Sequence, residues 1–491
     1  MTGEKHAVII GGGFGGIAAA LRARKLGYTV TLIDKLDALG GKAQVIHHRG
    51  YTHDTGPTVI TAPWLFDELF TLFGKRRSDY ITFIPLPLWY RYVYPDGDHF
   101  DYMQDYDATM AEINRISPTD TSGYTSLLAM SKSIYHVGFD QLACKPFHRL
   151  WDMLRLIPTM LRLRSFTTVW QLVCSYITHP KLRQAFSIQP LLVGGNPLAT
   201  TSIYSLIHYL ERKGGIHFAK GGTGALVKAL HTLLEEEGVT VLLKTKVDHI
   251  HTKQQSVVGV TYNDNTYLPA DVVIANTDPY YLYGRMLDTK LTFNVRLKQR
   301  RSYPSMGLFV LFFGTTRRYD DIAHHTISMG PRYEGLLKDI FSRQVLADDF
   351  SYYLHRPCAT DNSFAPSGCD SFYALVPVPN NQSTISWDIE GPTLQQKVLD
   401  HLESTLMPEL HKHLDHVFFH SPDYFTDSYL NPHGAAFSMA PLFFQSAWFR
   451  FHNQAEGVKD LYLVGAGTHP GAGIPGVLCS AKVVTKLLEA S

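Results

Sequence analysis

Cysteine is scarce in this chain of 491 residues: there are five, Cys144, Cys174, Cys358, Cys369 and Cys479, with no CxxC pair among them. That spacing suggests neither a disulfide framework nor a thiolate zinc site, and a reducing cytosol is the expected compartment. Neither sign of charge is in excess, since 45 Lys and Arg stand against 44 Asp and Glu for a net charge of +1. No global field draws in nucleic acid, so no nucleic-acid partner is expected. Met1 to Lys5 lead directly into a short apolar strand without the apolar core of a secretory signal, so no export is expected. Internal repeats and low-complexity tracts are absent. The 24 histidines include the pairs His47-His48 and His324-His325 but no HExxH or comparable ligand spacing, and no metal is expected. The charge-free stretch Gln184 to Leu210 is long enough to span a bilayer, yet Pro190, Gly194, Gly195, Asn196 and Pro197 interrupt it, which predicts buried protein instead of a span.

What is present is a folded, somewhat greasy chain, 45% apolar and 18% charged, with a mean hydropathy of −0.08. Its length predicts two or three domains. Near the start, Ala7–Ile10 reads as a buried strand, Gly11–Gly16 as a glycine turn, Ile17–Leu26 as a helix and Tyr28–Ile33 as a second strand, which makes a βαβ unit. Short buried-type strands at Val239–Leu243, Asp271–Ala275 and Leu461–Val464 are its expected partners. The nucleotide domain is therefore predicted to be discontinuous.

Gly11, Gly13 and Gly16 form GxGxxG between strand and helix. The first permits the tight turn, the second lets backbone approach a pyrophosphate, and the third allows close helix packing. The helix N-terminus then faces the phosphates. Asp34 ends the second strand where a carboxylate accepts from a ribose 2′-OH, which argues for FAD or NAD over NADP. A second glycine element, Gly40-Gly41-Lys42-Ala43, offers small residues and a cation to the rest of a longer cofactor, although a GG pair also simply makes turns.

The run GGGFGGIAAALRARKLGYTVTLIDKLDALGGKA, with Asp54-Thr55-Gly56-Pro57-Thr58 after it, resembles the N-terminus of bacterial-type phytoene desaturases. LLVGGNPLATTSIYSLIHYLER, FAKGGTGALVKAL and LYLVGAGTHPGAGIPGV extend the resemblance from about Ala7 to about Leu488. It implies an α/β fold: a discontinuous Rossmann-type FAD-binding domain (1–75, 220–288 and 455–491), an inserted mixed-sheet substrate domain (76–116 and 289–454) and a mostly helical, membrane-facing domain (117–219). It implies that Gly11, Gly13, Gly16, Asp34, Gly41 and Lys42 hold the ADP and pyrophosphate of FAD, with Val247 pairing its backbone to the adenine. Gly465, Gly467, Gly476 and Val477 then cradle the ribityl chain and flavin ring. Ala466 stands where many related flavoproteins carry an acid, and Asp460 where Asn or Gly is commoner, so a side-chain contact at 466 is not implied.

The activity implied is FAD-dependent desaturation of phytoene to lycopene or a less unsaturated product, with quinone or oxygen as electron acceptor. A desaturase of C30 chains or later carotenoid intermediates shares every motif. A flavin amine oxidase is a second class, against which the GTHPGAGIPG string argues, and a non-enzymatic dinucleotide sensor would lack the flavin-ring motif. Removing hydride and proton from an unactivated hydrocarbon leaves the protein to position substrate, exclude water and accept a proton, which predicts an apolar tunnel. Asp152, with Arg155 one turn on, is the proton-transfer candidate if its helix face is desolvated, and a surface ion pair if it is not. His469, inside the glycine motif, serves as a base or, in the favoured reading, as a shaper of the turn. Lys145–Arg164 carries five Lys/Arg and one acid among apolar residues, which suits a segment on an anionic lipid surface or an exposed helix packed on its own domain. The expected location is cytoplasmic and peripheral, on the inner face of the cell membrane.

Overall fold

The computed structural model of the chain describes residues 4–288 and 290–490. Met1, Thr2, Gly3, Thr289 and Ser491 lie outside the described residues, and with them the domain limits expected at 1, 289 and 491.

A five-stranded parallel sheet collects strands from across the chain in the order Leu461–Leu463, Val272–Ala275, His6–Ile10, Thr29–Ile33, Thr240–Leu242. The central strand aligns Ala7 with Val272 on one side and with Val30 on the other. Its residues Ala7 to Ile10 are all buried, as a strand covered on both faces requires. Helix Phe14–Lys25 is buried from Phe14 to Ala23 because four alanines and two glycines let it lie close to the sheet. It packs against helix Ile474–Glu489, and Glu68 bridges the pair by accepting from Arg22 at 2.8 Å and from Lys482 at 2.7 Å. The first and last helices of the chain therefore share one core.

A second, mixed sheet of seven strands runs Leu414–His420, Gly307–Thr315, Asp370–Val378, Tyr352–His355, His325–Ser328, Leu88–Val93, His99–Met103. Strand Gly307–Thr315 is buried at every position, consistent with its continuous run of apolar residues.

Residues 106–214 are mostly helical. The segment Lys145–Arg164 forms two short helices, Leu150–Arg155 and Ile157–Arg162, because Pro158 has no N–H to donate and fits only the first turn of a new helix. The stretch Gln184–Leu210 folds as the end of one helix, two 3-10 turns and the start of another. Among the described residues no helix is long and apolar enough to cross a membrane.

Candidate active site

The glycine turn is dictated by close backbone approach. Gly11 has φ +93°, and a Cβ on Gly16 would sit 1.9 Å from the Gly11 carbonyl oxygen. No side chain fits at 16, so the helix begins directly under the strand. A Cβ on Gly13 would stand 2.9 Å from the Asn276 amide nitrogen, and that amide donates to the Gly11 carbonyl at 3.3 Å. Asn276 was not singled out in the sequence. Its signal is Asn276-Thr277-Asp278-Pro279 directly after strand Val272–Ala275, a turn at the carboxyl end of a parallel strand, where ligands of such sheets bind.

Asp34 accepts from the Gly12 N–H at 2.6 Å and from the Leu36 N–H at 2.8 Å. Burial raises its carboxyl above the ordinary value, and these two backbone bonds oppose that. One bond per oxygen leaves a lone pair on each for a ribose hydroxyl. Lys42 donates from Nζ to the Ala436 carbonyl at 2.5 Å. Desolvation pushes its ammonium down to about 8 against the pull of the Asp278 carboxylate.

At the other end of the chain, strand Leu461–Leu463 leads into Gly465, whose N–H donates to Ser480 Oγ at 2.9 Å on the last helix. A Cβ on Gly15 would come within 3.3 Å of Gly465, so the two glycine turns touch. Arg450, fully buried, donates to the carbonyls of Gln445 at 3.2 Å and Ala466 at 2.5 Å and fixes the segment that carries Gly467. His469 is buried, its Nε2 donates to the Leu142 carbonyl at 3.1 Å, and burial pushes its imidazole down to about 4. A neutral ring tied to a carbonyl shapes the turn. Helix Ile474–Glu489 opens after Gly473, φ +91°, and presents its first turn to the interior.

One continuous cavity of about 620 Å³ connects these features. Gly11, Gly13, Asp34, Gly41, Lys42 and Val247 line it, as do Gly465, Gly467, Gly476 and Val477, whereas Gly16 packs behind the turn. Several buried polar atoms by it have no partner, among them Asp278 Oδ2, Arg450 Nε and His469 Nδ1. A glycine cradle, a helix N-terminus and unpartnered polar atoms suit a diphosphate-linked cofactor.

Beyond the nucleotide end the lining is mostly apolar. Asp34, Asp278 and Glu211 supply its carboxyls among the described residues. Glu211, on helix Leu206–Gly214, is completely buried. Tyr90 OH donates to its Oε1 at 3.3 Å, while Oε2 has no partner. Burial pushes its carboxyl up to about 8, opposed by the Tyr90 bond and the Arg212 charge. Sequence reasoning missed Glu211 because the run LIHYLER reads as the surface end of an amphipathic helix.

Asp152 and Arg155 are placed differently from their expected pairing. Met153, Leu156, Met160 and Leu163 turn into the cavity at helical spacing, which leaves Asp152 and Arg155 off the lining. Arg155 lies 5.8 Å from the Trp151 ring instead of pairing with Asp152. The outer face of the same segment exposes Trp151 (60%), Leu161 (62%) and Phe166 (53%), and Phe444 (74%) stands on the neighbouring loop. Phe166 and Phe443 bring the two segments together with ring centroids 4.8 Å apart.

The sequence matches the family described as flavin containing amine oxidoreductase across residues 14–485, which makes the chain a flavoprotein oxidoreductase. It is 42% identical over 488 residues to a lycopene-forming phytoene desaturase of Pantoea ananas, with 99% of each chain covered. It is 40% identical to the neurosporene-forming phytoene desaturase of Cereibacter sphaeroides, covering 98% of this chain and 94% of that one. On these matches, the chain belongs to the bacterial phytoene desaturases. Its fold is shared with an oxidoreductase from Methanosarcina mazei at a TM-score of 0.67 and 15% identity, covering 98% of this chain and all of that one.

Proposed function

We propose that this protein desaturates phytoene toward lycopene with FAD as its cofactor, on the inner face of the cell membrane. The observation that carries the reading is the continuity of the cavity. One cavity is lined both by the glycine turns and by Leu156, Met160, Leu163 and Phe443, which belong to the same two segments that expose the apolar patch. An apolar polyene dissolved in lipid can enter from that patch without crossing water, and Lys145, Arg149, Arg155 and Arg162 add affinity for anionic headgroups.

In this reading Gly11, Gly13, Asp34, Gly41, Lys42 and Val247 hold the ADP and diphosphate, and Gly465, Gly467, Gly476 and Val477 the ring. Bound flavin supplies the two-electron acceptor for a hydride. The chain's own work is to align the polyene along an apolar wall, exclude water and receive the proton from the neighbouring carbon. Glu211 takes that proton on Oε2, as the lining carboxyl remote from the nucleotide end. A quinone or oxygen would be the acceptor that takes up the electrons a flavin held by these residues would collect.

Expression in cells that accumulate phytoene tests this directly. New long-wavelength polyene bands in the extracted pigment are expected, and their positions count the desaturation steps. Unchanged phytoene beside flavin-loaded protein would move the substrate to a C30 or already unsaturated carotenoid.

A further inference from the structure

Behind the cavity wall, three buried histidines converge. His325 and His355 are directly opposed in the antiparallel pair His325–Ser328 and Tyr352–His355, and His324 precedes the first of these strands. Their relative exposures are 6% for His324, none for His325 and 1% for His355. One ring nitrogen from each lies within 4.8 Å of the others, and His324 Nε2 is 3.2 Å from His355 Nε2.

The opposite ring nitrogens are already engaged on two of the three. His324 Nδ1 is 2.7 Å from Thr360 Oγ1, and His325 Nδ1 is 2.6 Å from Tyr353 OH. A neutral ring whose Nδ1–H donates outward carries its lone pair on Nε2, the arrangement that outer hydrogen bonds impose on metal-bound histidines. Burial keeps the rings in this neutral form, with His324 pushed down to about 3 and the other two well below their ordinary value. Two accounts of the cluster compete. In a cluster held by hydrogen bonds alone, one proton shared between His324 and His355 still leaves His325 Nε2 buried and unpartnered, as it stands here. Such a group costs roughly 1–3 kcal/mol. A cation shared by the three rings takes up the His325 lone pair that hydrogen bonding leaves over, and His355 Nδ1 is then the one ring nitrogen of the cluster without a partner.

The geometry points to a binding site for one late first-row divalent cation, zinc first, held by His324, His325 and His355. Imidazole-only donors favour such metals over calcium or magnesium. Metal–nitrogen bonds of about 2.0–2.1 Å place tetrahedral ligand atoms ~3.3 Å apart, close to the His324–His355 separation, so small ring rotations bring in His325. Water takes the fourth position, since the cluster holds three protein donors. Arg356, next in sequence to His355, does not oppose the ion unbalanced, because it pairs with Asp370 at 3.0 Å and Asp320 at 2.7 Å. The ion would staple two strands and the His324 loop, fixing Tyr353 where it lines the cavity. The motif escaped sequence scanning because its donors are adjacent residues plus one on a partner strand, spacing that no linear pattern describes.

The test uses the full-length, flavin-loaded protein, stripped with chelator and titrated with Zn2+ alone. About one zinc per chain is expected, with a Tm rise of roughly 2–4 °C. His355→Gln and His324→Gln should each abolish the stoichiometric ion while retaining flavin. Because either variant can fail to fold, X-ray absorption on the zinc-loaded wild type is the second measurement, with three imidazole nitrogens at about 2.0–2.1 Å expected. Zinc content near zero, zinc retained in a folded His355→Gln protein, or fewer than three imidazoles in the spectrum would overturn the site and leave a hydrogen-bonded histidine cluster.

Discussion

The side-chain amide of Asn276 donates to the carbonyl of Gly11 at 3.3 Å, so the strand that ends at Ala275 holds the first glycine turn from below. The same amide nitrogen lies 2.9 Å from where a Gly13 Cβ would stand. Gly13→Val should therefore displace both Asn276 and the incoming diphosphate, and the purified protein should lose at least about tenfold in flavin affinity. Full flavin content measured by absorbance after gel filtration would contradict this.

Glu211 gives two pH signatures. Its ordinary value is 4.5 and the fold holds it at about 8, so the folded chain keeps a proton that the unfolded chain releases across this interval. The associated stability is complete below 4.5 and is lost as pH rises through about 8. Urea titrations across that range should show the decline in the wild type and its absence in Glu211→Gln. As proton acceptor the carboxyl must be ionised, so turnover should rise toward pH 8. Glu211→Gln should lower it by about 10²–10⁴-fold with flavin content unchanged. A mutant with the wild-type pH profile places the proton acceptor elsewhere.

Asp152→Ala should leave flavin content intact and change turnover by less than about twofold, because the carboxyl stands off the cavity lining. A loss comparable to that of Glu211→Gln would restore the role first expected of Asp152.

Trp151→Glu with Leu161→Glu places two charges on the exposed patch without touching the cradle. Flotation with anionic liposomes should fall by at least about tenfold while flavin content and the folded circular-dichroism spectrum persist. Undiminished flotation would mean that another face meets the lipid.

Burial holds the Lys42 ammonium at about 8 even against the Asp278 carboxylate, so without a bound diphosphate its charge is lost as pH rises above that value. Flavin affinity should fall as pH rises above that value, and Lys42→Met should bind more weakly and lose this dependence. Equilibrium dialysis at several pH values checks both.

The glycine turn was legible in sequence because it is set by backbone geometry, and glycine at 11, 13 and 16 is the direct record of it. The scattered strands were legible too, since each is a short buried run, and their observed ends differ from expectation by no more than a residue or two. Glu211 was not legible. Its neutral carboxyl depends on burial, and the group that partners it, Tyr90, stands on a strand more than a hundred residues away in sequence. Asp152 lies off the cavity lining for the converse reason: apolar neighbours in sequence suggested burial, but those on the outer face stayed exposed. Pro158 signalled the break in that segment, yet nothing local shows which face turns inward.

The parallel sheet places strand His6–Ile10 beside Val272–Ala275, which in turn pairs with Leu461–Leu463. During synthesis at about 5–20 residues per second, the first glycine turn waits on the order of tens of seconds for the strand and helix that complete its site. The emerging chain must therefore stay soluble with its first buried strand only partly covered, and its pocket is complete only after Leu461–Val477 has emerged. A chain stopped before Leu461 lacks one wall of the pocket, so flavin retention would report that segments more than 400 residues apart have come together.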